Sequence, residues 1–329
     1  MTTRDDPIAK LTHPGPPQLV FAGGGTGGHI YPALAIAEAA RELDPGAAAH
    51  ILCSQRPVDR DILAALKPAE AVAFTPIPAN PPSLSPARLY RFVNTWSGAR
   101  NIATRVLRDH MSRGPTTLIA MGGFVAAPAV AAARLAEVPI VLVNLDAVPG
   151  KSNRWAAKRA AAIYSACETN QGWTDVGPIV RSALTNPIEQ ATARRRFDLD
   201  AETNTLLITG GSQGAKTINE LVLKLLSDHP DAFAGWQAIH QTGAQHDPAP
   251  VRAAYERAGV RAWADHYIAD MPAAWHAADL ALGRAGAGTV AEAWATRTPT
   301  VFFPYPYHKD DHQTHNARPL TRAGAALVL

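Results

Sequence analysis

Three times along the chain an apolar run of strand length ends in a glycine-rich turn that opens onto a helical pattern. These are QLVFAGGGTGGH (residues 18–29), TLLITGGSQGAKTINE (205–220) and DLALGRAGAGTVAEAW (279–294). The runs AHILCS, TTLIAM followed by GGF, PIVLVNLD, WQAIHQTG and TPTVFFPY extend the same alternation of strand and helix. Strands separated by helical patterns predict parallel sheets covered on both faces. At 329 residues the chain suits two cores of ~150 residues each, hence two doubly wound domains. The Pro-, Gly- and polar-rich stretch VGPIVRSALTNPIEQ is the best boundary, with the hinge near Ser182–Asn186. Residues 1–17, polar and proline-rich, read as a disordered tail, 18–183 as the first domain and 184–329 as the second.

Bulk properties exclude several classes. A net charge of +3 is too small to argue for nucleic acid, and none is expected as a partner. Cys53 and Cys167 cannot build a disulfide framework and fit a reduced cytoplasm. No signal peptide is visible. The longest uncharged run, PTTLIAMGGFVAAPAVAAA, is broken by Gly122, Gly123 and Pro128 and reads as strand, turn and helix, not as a membrane span.

The first loop, Gly23-Gly24-Gly25-Thr26-Gly27-Gly28, satisfies G-x-G-x-x-G between a strand and a helix. Its backbone N–H groups and the helix N-terminus suit an anion or a sugar. A nicotinamide dinucleotide site would want an acid at the end of the next strand, where Cys53-Ser54-Gln55 stands; a Walker loop would want Gly-Lys-Ser/Thr. A tight turn with no ligand is the plainer reading, but one turn does not need this many glycines. His29, at the helix start, is expected to be neutral and able to take a proton from a hydroxyl. In the second half, Ser212 reads as a helix N-cap. The N–H groups near Gly286, Ala287, Gly288 and Thr289 suit a diphosphate, Arg284 adds charge, and Glu292, one turn on, could accept from a ribose diol. Glycine loops at the carboxyl ends of strands in both domains point to a cleft between the domains. His308, His312 and His315 raise the question of a metal, but the first two straddle Lys309, and phosphate or sugar recognition is the better reading.

The segments GGTGGHIYPALAIA, MGGFVAAP, GGSQGA, HQTG, IADMPAAWHAADL, RAGAGTVAE and HKDDHQTHNA, in this order over residues 18–329, resemble the MurG family. These are the undecaprenyl-diphospho-muramoylpentapeptide β-N-acetylglucosaminyltransferases of bacterial wall synthesis. The resemblance implies a GT-B fold of two Rossmann-like domains facing a cleft. It implies inverting transfer of GlcNAc from UDP-GlcNAc to the 4-hydroxyl of the muramoyl residue of lipid I, yielding lipid II. It implies that Arg181 and Ser212 contact the nucleotide, Ile268 meets the uracil through its backbone, Ala287, Gly288 and Thr289 hold the diphosphate, Glu292 the ribose, and Gln313 the sugar. Thr26, Gly27 and Gly28 would face the diphosphate of a polyprenyl-linked muramoyl-peptide acceptor, with His29 as base; Asn153, Gln213 and Arg284 join the substrate-binding set. No D-x-D acid pair sits in a suitable loop, so no cofactor and no protein metal site are expected, and a divalent cation would at most stimulate.

Departures from the family pattern stand at two places. Val143-Asn144-Leu145-Asp146 replaces HEQN, and Asp311 and His312 replace Arg and Gln of HKDRQQ. The family also continues past the position of Leu329, so a truncated second domain is expected. Three alternatives stay open: a GT-B transferase with another lipid acceptor, a UDP-sugar-binding protein without catalysis, and, disfavoured by the missing acid, an NAD-dependent oxidoreductase. Finally, SPARLYRFVNTWSGARNIATRVLRDH (85–110) reads as one amphipathic helix. It carries Leu89, Phe92, Val93, Trp96 and Ala103 on one face and Arg88, Arg91, Arg100, Arg105 and Arg108 as cations. It either packs on the sheet or touches an anionic membrane; the resemblance favours peripheral contact at the cytoplasmic face of the plasma membrane.

Overall fold

The computed structural model describes residues 15–25, 27–64, 66, 72–81, 85–306 and 311–329, with the side chain of Arg88 excepted. Thr26, His308 and Lys309 lie outside the described residues, as do residues 1–14 of the expected tail. The chain divides into two units, Met1–Arg181 and Ser182–Leu329.

In the first unit the order is β1 (Gln18–Ala22), α1 (Gly27–Leu43), β2 (Ala48–Ser54), α2 (Pro57–Ala64), β3 (Ala73–Ile77) and α3 (Pro86–Met111). There follow β4 (Thr116–Ala120), α4 (Gly123–Leu135), β5 (Ile140–Asn144), α5 (Lys151–Ala157), β6 (Ala162–Ser165) and β7 (Thr174–Asp175). The seven strands form one parallel sheet in the order β3-β2-β1-β4-β5-β6-β7. The three central strands β1, β4 and β5 are buried on both faces, as their continuous apolar runs require. The strand order reverses at β1 and β4, which pair from Gln18↔Thr116 to Ala22↔Ala120. Their carboxyl ends, where Gly23 and Gly122 follow, therefore open the crevice in which such sheets bind ligands. Residues 15–17 are part of this unit rather than of a disordered tail. The Pro17 carbonyl accepts the Ala48 N–H at 2.9 Å, because the first strand needs its entry residue paired.

The second unit runs α6 (Ser182–Thr185), α7 (Gln190–Arg195), β8 (Asn204–Thr209), α8 (Lys216–Asp228), β9 (Trp236–Gln241), α9 (Ala249–Arg257) and β10 (Ala262–Asp265). It continues with α10 (Met271–Ala277), β11 (Leu280–Gly283), α11 (Ala287–Thr296), β12 (Thr300–Phe302), α12 (His312–Arg322) and β13 (Ala326–Val328). Its six parallel strands are ordered β10-β9-β8-β11-β12-β13, with the reversal between β8 and β11. Ile208, Ile218, Val222, Leu226 and Tyr255 build a core on one side of that sheet.

Helix α3 divides into two parts. Ala99, Ala103 and Leu107 are fully buried in a cluster shared with the small-residue face of α4 (Ala126, Ala129, Ala133). Alanine on both helices lets the backbones approach closely, and Leu107→Ala would cost roughly 2–5 kcal/mol. Ala103 is thus core and leaves the expected membrane face. One to three turns toward the N-terminus, Leu89, Tyr90 and Val93 are 47%, 69% and 63% exposed, and the half-buried rings of Phe92 and Trp96 touch at 5.4 Å between centroids. No helix among the described residues is long and apolar enough to cross a membrane.

Candidate active site

The first-unit loop is held from within. Asp59, on α2 and 0% exposed, accepts the Gly25 N–H on both oxygens (2.9 and 2.7 Å), and its Oδ2 also accepts the Ser54 N–H (2.9 Å) and hydroxyl (2.6 Å). Arg56 closes the other side: its guanidinium donates to the Gly25 carbonyl at 3.1 Å and lies over the Phe124 ring at 5.0 Å. The Gly25 amide, expected to serve an external anion, already has a resident carboxylate. Among the described residues, the first turn of α1, beginning at Gly27 and the exposed Gly28, offers N–H groups without an intrahelical partner. Gly24 has no room for a side chain, since a Cβ there would collide with Asp59 Oδ2.

His29 follows in the first turn of α1. Its Nδ1 is sealed from solvent without a hydrogen bond. Burial lowers its pKa, while the Asp146 and Asp59 carboxylates and the Gly24 carbonyl pull it back up. Desolvation is thus the largest cause that favours the expected neutral imidazole. With Nδ1 sealed from solvent, Nε2 is the ring nitrogen open to a substrate hydroxyl. Nε2 lies beside Gly122: a Cβ on that residue would come within 3.3 Å of it and within 2.7 Å of Asn153 Oδ1. Gly122 also holds φ at +110°, so glycine is required twice over.

Asn153, 7% exposed on α5, is oriented by the segment that departs from the family pattern. Asn144 is fully buried; its Oδ1 accepts from Asn153 Nδ2 at 2.9 Å, and its Nδ2 donates to the Asp146 carbonyl (2.7 Å) and the Ser165 hydroxyl (2.9 Å). Asn144 is thus a hub that fixes Asn153 and the Asp146 backbone. Sequence reasoning missed both this hub and Asp59. A buried polar residue closing a strand was the available signal for the first, and an acid five residues beyond the second strand for the second.

The second unit presents an open loop. Helix α11 starts at Ala287 with Gly286 as N-cap and no side-chain cap bond, and a Cβ at Gly286 or Gly288 would meet nothing within 4 Å. The first N–H groups of α11, on Ala287, Gly288 and Thr289, have no intrahelical partner and carry the positive end of the helix dipole. Arg284 does not stand free as a phosphate ligand. Its guanidinium donates to the Phe303 and Pro304 carbonyls (2.8 and 3.0 Å) and to the Thr217 hydroxyl (2.6 Å), tying three segments together behind the loop. Glu292 is half-buried, burial pushes its pKa up to about 7, and Oε2 accepts the Trp275 indole N–H at 3.0 Å.

Other expected residues fall into varied settings. Ser212 is not an N-cap: Gly211 and Gly214 both hold positive φ, the turn between them is longer than the sequence suggested, and α8 starts at Lys216 behind Ala215. Gln213 beside it is exposed. Gly214 is packed on the backbone of Thr242 and Gly243, so part of this glycine motif serves close approach to the end of β9. Ile268 is 1% exposed between β10 and α10. Gln313 accepts the Tyr305 N–H at 2.9 Å through Oε1, leaving its amide NH₂ as donor. Arg181, the last residue of the first unit, is engaged by Glu38 of α1 (Nε–Oε1 2.7 Å), so a nucleotide contact would require that pair to open. Among the described residues no group of three or more His, Cys, Asp or Glu is placed to hold a metal ion.

Family comparison accounts for both units. Residues 19–165 match the glycosyltransferase family 28 N-terminal domain and 205–329 the glycosyltransferase family 28 C-terminal domain. The chain is 34% identical over 324 residues to a Coxiella burnetii protein and 37% over 325 residues to one from Symbiobacterium thermophilum. Each alignment takes in 95% of this chain, and 84% and 83% of the relatives. Both relatives are named UDP-N-acetylglucosamine--N-acetylmuramyl-(pentapeptide) pyrophosphoryl-undecaprenol N-acetylglucosamine transferase. The crystal structure of Acinetobacter baumannii MurG superposes with a TM-score of 0.67 at 26% identity, covering 96% of this chain and 86% of that one. The calicheamicin glycosyltransferase CalG4 shares the fold alone, with a TM-score of 0.63 at 14% identity over 95% of this chain and 84% of its own. With GT-B transferases as its structural neighbours and both halves of one family model matched in order, this chain belongs to glycosyltransferase family 28, in its MurG group of N-acetylglucosamine transferases.

Proposed function

We propose that the chain transfers GlcNAc from UDP-GlcNAc to the 4-hydroxyl of the muramoyl residue of lipid I, with inversion at the anomeric carbon, giving lipid II and UDP. The observation that carries this reading is the contrast of the two strand-order reversals. One presents an imidazole with a single accessible nitrogen; the other presents an uncapped helix N-terminus followed one turn later by a carboxyl group.

The acceptor hydroxyl gives its proton to His29 Nε2 as its oxygen attacks the anomeric carbon, and the bond to the UDP oxygen breaks. Burial keeps the ring neutral beforehand. The Asp146 and Asp59 carboxylates favour the imidazolium that forms, so the site is suited to the transition state more than to the resting state. The charge developing on the departing diphosphate meets the N–H groups of Ala287, Gly288 and Thr289, with the Arg284 guanidinium behind them. Glu292 accepts from the ribose, Ile268 meets the uracil through its backbone, and the Gln313 NH₂ reaches the sugar. Ser212 and Gln213 border the nucleotide. On the acceptor side Gly27 and Gly28 offer N–H groups to the lipid diphosphate, with Asn153 holding the sugar. Transfer of radiolabelled GlcNAc to a lipid I analogue tests the reading, and absence of product with hydrolysis of UDP-GlcNAc intact would redirect it to another acceptor. That second reading has its own support in Asp146, an acid near His29 where the family has Asn.

The exposed Leu89, Tyr90 and Val93, with Phe92 and Trp96 behind them and the exposed Arg91 nearby, form the surface we assign to peripheral contact with an anionic membrane at its cytoplasmic face. Leu89→Ser with Val93→Ser is expected to abolish cosedimentation with anionic vesicles while the melting temperature moves by less than about 2 °C. Unchanged sedimentation would remove this surface from the account.

A further inference from the structure

Glu292 has a demanding task in the proposed reaction: accept two hydroxyl hydrogen bonds from a vicinal diol in one fixed plane. A glutamate does not do this by itself. The torsion that turns the carboxylate is broad and roughly two-fold, so the plane of the two oxygens is poorly set by rotamer preference. The helical position fixes only where the side chain leaves the backbone, four residues beyond Gly288 and on the same face of α11.

The structure supplies what is missing from the neighbouring helix. Trp275 of α10 is 1% exposed, and its indole Nε1 donates to Glu292 Oε2 at 3.0 Å. Among the described residues this is the side-chain hydrogen bond on that carboxylate, and Oε1 remains open. The indole is itself immobilised. Asp270 caps α10 by accepting the Ala273 N–H at 3.1 Å, and the Thr298 hydroxyl reaches the Trp275 carbonyl at 3.4 Å. An indole N–H is a donor in every protonation state of the site and carries no charge, so it orients the carboxylate without competing for the ligand.

We infer that Trp275 is a positioning residue for the ribose of the nucleotide: its indole N–H pins Glu292 so that the carboxylate presents a fixed edge to the 2′- and 3′-hydroxyls. This rests on the ribose reading of Glu292 given above. Its consequence is selective. Loss of the N–H should weaken recognition of the ribose hydroxyls, leaving the diphosphate, uracil and chemical step intact.

The test is calorimetric titration of the full chain with UDP and with 2′-deoxy-UDP, in the wild type and in Trp275→Phe. Because Phe leaves part of the indole volume empty, the same titrations are made with 3-benzothienylalanine incorporated in place of Trp275, which keeps the shape and replaces N–H by sulfur. The wild type is expected to bind UDP at least tenfold more tightly than 2′-deoxy-UDP. Both replacements should raise the Kd for UDP by about tenfold and that for 2′-deoxy-UDP, which keeps one of the two hydroxyls, by clearly less, lowering the ratio. In turnover, the KM for UDP-GlcNAc rises and kcat at saturating donor stays within twofold. A preserved ratio, or equal weakening toward both nucleotides, would reduce Trp275 to packing and overturn the inference. A wild type that does not distinguish the two nucleotides would instead remove the ribose role of Glu292, and the positioning role with it.

Discussion

The glycine loops that follow β1 and β11 look alike in sequence and are used in opposite ways. In the first unit the Gly25 amide is filled by Asp59, Gly24 has no room for a methyl group, and the helix that follows carries a buried imidazole. In the second unit no side chain caps α11, Gly286 and Gly288 border open space, and the nearby Arg284 spends its donors on the backbone behind the loop. A glycine-rich turn is therefore not by itself an anion site. What decides is whether the protein has already provided the anion. In the first unit the carboxylate makes the loop rigid and adds negative charge beside His29, which suits a base; in the second the vacant amides suit a leaving diphosphate.

The largest effect expected from breaking this contrast is on the base. His29→Ala should lower kcat by ~10²–10⁴-fold while UDP affinity changes less than twofold, because the imidazole serves the acceptor and the nucleotide is held by the other loop. Steady-state kinetics at saturating donor and acceptor checks it; a raised acceptor KM with kcat preserved would make His29 a binding group.

A matched pair of methyl groups probes the loops themselves. Gly24→Ala drives a Cβ into Asp59 and should destabilise the first unit by roughly 1–3 kcal/mol. Gly288→Ala meets no protein atom and lies in a helix, so stability should rise by about 0.5–1 kcal/mol, while UDP binding weakens because the methyl group borders the diphosphate. Denaturant melts with UDP titrations separate the two, and equal destabilisation would erase the distinction between a filled and an open loop. Glu292→Ala sharpens the second loop further. It should cost about 1.5–3 kcal/mol in UDP affinity and leave acceptor KM unchanged, as calorimetry and kinetics would show.

The smallest effect is a shift in pH. His29 must be neutral to act, and burial holds its pKa below 6.5. At saturating donor, kcat should therefore fall only on the acid side of that lowered value. Asp146→Asn removes a charge that favours the imidazolium, so the acid limb should move further down. A limb that stays where it is would place Asp146 outside the electrostatic reach of the ring.

The legible part of the molecule was the part set by local pattern. Parallel sheets, glycine turns at strand ends and the imidazole at a helix start follow from runs and periodicities within about twenty residues. The edge strand β3 carries Pro76, which breaks the strand pattern in sequence and is tolerated because one side of an edge strand needs no ladder partner. Ser212 looked like a cap, but the positive φ of Gly211 and Gly214 lengthens the turn before α8. α3 showed one amphipathic stripe, yet its C-terminal half is core, packed with α4, and its N-terminal half is exposed. Asp59 was illegible for a deeper reason. The Gly25 amide it fills lies 34 residues earlier, and only the pairing of β1 with β2 brings the two together. Asn144 and Trp275 were hidden in the same way, each acting on a residue supplied by another element.

The central claim is that the amides of α11 are vacant and the amide of Gly25 is not. Backbone amide NMR of the full chain during titration with UDP reads both at once. The account predicts saturable shifts at Ala287, Gly288 and Thr289, and a Gly25 amide that is protected from exchange and unmoved throughout. A saturable shift or loss of protection at Gly25, with the amides of α11 unmoved, would contradict it.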